Sequence, residues 1–61
     1  MTYAEIKANL ATARRLLDAG DIAGADRTIR AMVGKGLTRA DLDANLTPND
    51  LRLLREYGKK A

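Results

Sequence analysis

Sixty-one residues leave room for one domain with a small core, and a formal charge of +3 from 11 basic and 8 acidic side chains is a mild basic excess. Without Cys or His, the chain has no disulfide framework, no thiolate metal site, no imidazole base and no sensor of near-neutral pH. Without Phe or Trp, its interior must be filled by Leu, Ile, Val, Met and Ala.

One six-residue grammar opens helices at three places. Met1-Thr2-Tyr3-Ala4-Glu5-Ile6 puts an N-cap Thr three residues before an acid that can return a bond to the cap amide. Met1 and Ile6 flank that box as an apolar staple. Leu37-Thr38-Arg39-Ala40-Asp41-Leu42 and Leu46-Thr47-Pro48-Asn49-Asp50-Leu51 repeat it with Asp for Glu, a shorter arm. Pro48 falls at the first helical position, where its missing amide hydrogen costs nothing.

The first helix is predicted from Tyr3 to about residue 19. Tyr3, Ile6, Leu10, Ala13 and Leu17 recur on one face, and Leu16 widens it. Gly20 then stops the helix, and Asp21 caps the next. So short a connection folds the two helices antiparallel, as an αα-hairpin over residues 2–34. The second helix is predicted from Ile22 to about Gly34, with Ile22, Ala25, Ile29, Met32 and Val33 inward and Gly24 tolerated near its start. A short third helix over 38–45 turns Leu42 and Ala40 or Ala44 inward. A last helix over 47–57 carries Leu51, Leu54 and Tyr57 or Gly58 on one stripe, with Leu53 beside it and Gly58-Lys59-Lys60-Ala61 as a fraying end. The expected fold is all-α, a bundle of three to four helices built on the hairpin.

Gly20-Asp21-Ile22-Ala23-Gly24-Ala25 followed by Ile29 resembles the second-helix half of a tetratricopeptide repeat. Ala25 and Ile29 stand at that family's small and large apolar positions, with Ile22 in place of its aromatic. Asn9 and Thr12 depart from the first half of the pattern, and Leu37 lies near the place of the terminating proline. The resemblance spans half of one repeat and implies the hairpin's shape.

Function is less constrained. Ser is absent along with His and Cys, and no Gly-rich phosphate loop occurs. Glu5, Asp21, Asp41 and Asp50 read as caps, and Asp18, Asp26, Asp43 and Glu56 as solvated charges. Neither enzyme activity nor a cofactor, metal or small-molecule substrate is expected. No segment is apolar enough to serve as a leader or a membrane span, so the expected compartment is cytoplasmic. Arg52, Arg55 and Lys59 step down one side of the last helix, and Arg27 and Arg30 lie along the second. These basic residues with Leu53, taken as exposed, form the expected partner-binding surface. The expected function is that of a non-enzymatic interaction module, an accessory or regulatory protein with a protein partner or a second copy of itself. The alternative is a small nucleic-acid-binding protein using the same arginines. Its helix-turn-helix form is disfavoured by the short third helix and by Pro48 in the first turn of the would-be reading helix.

Overall fold

The structure, a computed structural model, describes residues 1–60 and consists of four helices: α1 Tyr3–Asp18, α2 Ile22–Arg30, α3 Arg39–Asn45 and α4 Pro48–Lys60. The fold is the all-α bundle expected from the sequence. Helices α1 and α2 form the hairpin, α3 returns against α1, and α4 packs on α2.

All three start signals close as reciprocal boxes. The Thr2, Thr38 and Thr47 amides each donate to the acid three residues on, Glu5, Asp41 or Asp50, at 3.0 Å. Each acid's own amide donates back to the threonine hydroxyl at 3.1–3.2 Å. The shorter Asp arm therefore reaches as well as Glu does. At the hairpin corner Gly20 takes φ +86°, a left-handed conformation that would strain a side chain. The Asp21 amide then reaches back to the Leu16 carbonyl at 2.8 Å, satisfying one of the orphan acceptors at the end of α1.

Two apolar clusters fill the hairpin and meet at Ile29. One joins Ile6, Leu10 and Met32 with Ile29, Leu37 and Leu42 packed against them. The other joins Ala13, Leu17 and Ala25, covered by Leu16, Ile22, Ile29, Leu53 and Leu54. The buried face of α1 thus follows the sequence period, except at its start, where Tyr3 is exposed. That first turn of α1 runs past the end of α2, which stops at Arg30.

The early end of α2 is the main departure from the expected elements. After Arg30 the chain tightens into turns, with the Met32 amide on the Ile29 carbonyl and the Val33 amide on the Arg30 carbonyl. Gly34 and Gly36 follow at φ +82° and +108°. Tighter winding brings Met32 into the core at 1% exposure but swings Val33 out to 66%. In α3, Leu42 is half-buried while Ala40 and Ala44 both face solvent. Helix α4 runs through Gly58 to Lys60, where fraying was expected, and Ala61 of that expected end lies outside the described residues. Its last-turn lysines, Lys59 and Lys60, suit the negative end of the helix dipole.

Gly24 has a more specific role than tolerance near a helix end. A Cβ there would run into the Asp21 carboxylate, whose Oδ1 accepts the Gly24 amide at 2.9 Å. The glycine makes room for the cap. Elsewhere in a helix, Ala for Gly gains about 1 kcal/mol. Gly24→Ala is expected to forfeit that gain while Asp21 is present and to recover it in the Asp21→Ala background. Thermal melts of the two single variants and the double variant test the coupling. Additive effects would show that glycine and cap are independent.

The accessible surface is 4042 Å², against about 3,900 Å² for a compact monomer of this mass. Among the described residues, no helix is long and apolar enough to cross a membrane.

Candidate functional site

The repeated capping box also builds a surface feature. In each of the two later boxes the residue after the acid is a leucine, Leu42 in α3 and Leu51 in α4. The boxes fix the entry of both helices, and the two leucines end on the walls of one cleft. Ile29 of α2 and Leu54 of α4 complete its apolar floor, and Asp26, Arg39 and Arg55 form the rim. The cleft encloses about 190 Å³. Clefts for whole small molecules run to roughly 300–1,000 Å³, so this one is sized for one or two side chains.

The rim charges are not equivalent. Asp26 is half-buried, and its Oδ2 accepts from Arg30 Nε at 2.7 Å. Arg39 Nε donates to Asp43 at 3.3 Å, although its side chain remains 73% exposed. Arg55 has no carboxylate partner among the described residues. A guanidinium beside an aliphatic floor favours a ligand with both an apolar group and an anionic oxygen.

The basic and apolar residues expected to bind a partner do not form one surface. Of the six, only Arg55 lines the cleft. Arg30 is tied to Asp26, and Arg52 is held by Glu56 at 3.3 Å and by Asn49 at 2.6 Å. Arg27 and Lys59 are exposed, without an ion pair among the described residues. Leu53, expected to be exposed, is half-buried against the Ala13–Leu17–Ala25 cluster, because α4 lies over that end of the hairpin. Asp26 is likewise less solvated than its place in the sequence suggested. Nothing in the charge or apolar pattern of single helices marks Arg39, Leu42 and Leu51 as binding residues. The box repeat could have indicated them, since it fixes equivalent positions on two helices that converge.

Most of the carboxylates are engaged within the fold. Glu5, Asp21, Asp41 and Asp50 all cap helices, and Asp26, Asp43 and Glu56 hold arginines. Glu5 is held below its ordinary value of 4.5, first by the bond from the Thr2 amide and then by the Thr2 hydroxyl. Its perturbation comes from capping. No group of three potential ligands among the described residues is placed to hold a metal ion.

Taken together, fold and site define a class: a small all-α bundle with an amphipathic cleft between three of its helices. No family model, no curated protein and no solved structure matches the chain.

Proposed function

We propose that this protein is a non-enzymatic interaction module, accessory to another protein, that docks through the face where α2, α3 and α4 converge. The observation that carries the reading is the cleft itself. Apolar surface is left open there although the core beside it is closed, and pockets of this kind seat the anchoring side chains of protein partners. The nucleic-acid alternative draws less support. Two of its arginines, Arg30 and Arg52, are engaged by carboxylates, and the cleft floor is aliphatic with no aromatic ring for a base to stack on.

Photo-crosslinking in the cells that encode the protein tests the reading. A benzophenone side chain replacing Arg39 on the cleft rim is expected to trap discrete protein adducts. The same group replacing Ala8, exposed on the far side of α1, is expected to trap none. Nucleic-acid adducts at Arg39, or the same adducts from both positions, would overturn it.

A further inference from the structure

Resting on that reading, we infer that the α2–α3–α4 cleft receives an acidic segment of the partner: one or two leucine-sized side chains enter the floor while a neighbouring carboxylate binds Arg55. Three observations lead there. The volume of about 190 Å³, floored by Ile29, Leu42, Leu51 and Leu54, fits side chains rather than a cofactor or metabolite. Arg55, alone among the two rim arginines, has no carboxylate of its own chain among the described residues. The rim's negative charge, Asp26, is engaged by Arg30, so the unbalanced charge facing an incoming segment is positive.

Another protein is the better source of the acid than a second copy. Seven of the chain's 8 acidic residues are committed to caps or arginines, which leaves Asp18. Asp18 lies between buried Leu17 and Ala19, so a second copy has no exposed large apolar side chain beside its free carboxylate. The exposed large apolar residues, Met1, Tyr3 and Val33, lie at other places in the chain. A phosphate-rich strand would find Arg55, but it would leave the aliphatic floor in water.

The test uses the full chain with labelled methyl groups and two capped hexapeptides, Asp-Glu-Leu-Leu-Glu-Asp and its uncharged isostere Asn-Gln-Leu-Leu-Gln-Asn. The acidic peptide is expected to shift the methyl resonances of Ile29, Leu42, Leu51 and Leu54. It should bind about fivefold tighter than the isostere, the scale of a partly exposed charge pair. Arg55→Gln is expected to abolish that difference while leaving the thermal melt unchanged, and Lys59→Gln, one turn further along α4, is expected to preserve it. Equal binding of the two peptides, shifts outside the cleft, no binding of either, or charge discrimination that survives Arg55→Gln would each overturn the inference. So would a duplex oligonucleotide that shifts the same methyls more strongly than the acidic peptide. Failure here with protein adducts still trapped at Arg39 would leave the interaction module standing and remove only the acidic anchor; loss of both would remove the reading beneath it.

Discussion

Leu10→Ala is expected to lower the melting temperature by about 10 °C or more, and to leave a substantial unfolded fraction at 25 °C. Leu10 is fully buried and packs with Ile6 and Met32 where α1 meets the turn after α2. Truncating such a leucine costs about 2–5 kcal/mol, because apolar contact is lost and the cavity only partly collapses. A domain of this length has roughly 3–9 kcal/mol of total stability on the usual per-residue scale. One side chain is therefore worth about a fifth of the whole at least, and half or more at the middle of both ranges. Val33→Ala is the control, with the side chain 66% exposed and an expected change within about 0.5 kcal/mol. Sequence period places Leu10 and Val33 on equivalent inward faces, so a large effect at Val33 would contradict the turn that rotates it outward. Circular dichroism melts of the two variants against the parent chain decide the matter.

That contrast marks what the sequence could and could not convey. Features set by residues close in the chain were legible: the boxes at Thr2, Thr38 and Thr47, the corner at Gly20 and the buried face of α1 from Ile6 to Leu17. Each depends on capping chemistry or on a helical period that neighbouring residues enforce. What was missed depends on where a helix stops and what lies over it. Val33 follows the same spacing as Met32 until the backbone tightens at Ala31, and nothing in the apolar pattern announces that change of winding. Leu53 reads as an exposed flank of the α4 stripe until α4 is laid across Ala13, Leu17 and Ala25. The cleft is a property of three helices at once. Of its lining, Arg55 is visible as a binding candidate because a cationic stripe shows within one helix, while Arg39, Leu42 and Leu51 depend on the relative placement of two.

The three boxes share one hydrogen-bond length but not one environment, and that difference sets the last expected result. The bonds of Thr2–Glu5 and Thr38–Asp41 lie in solvent, whereas those of Thr47–Asp50 are partly buried and Asp50 is only 5% exposed. Removing an acid from an exposed box lets water take over the freed threonine amide. Asp50→Ala instead strands the Thr47 amide where water reaches it poorly, at a cost of about 1–3 kcal/mol. It should therefore destabilise the fold more than Asp41→Ala does. Asp50 also lies 4.0 Å from Arg14 Nε and so links α4 to α1, but that arginine is 53% exposed and the separation is long. Such a pair contributes at most about 1 kcal/mol. If the cap dominates, Asp50→Asn keeps an acceptor for the Thr47 amide and recovers most of the loss, and Arg14→Gln costs little. Chemical denaturation of Asp50→Ala, Asp50→Asn, Asp41→Ala and Arg14→Gln gives the ordering. An asparagine as damaging as alanine, with Arg14→Gln matching both, would mean that the charge link to α1 and not the capping bond holds α4 in place.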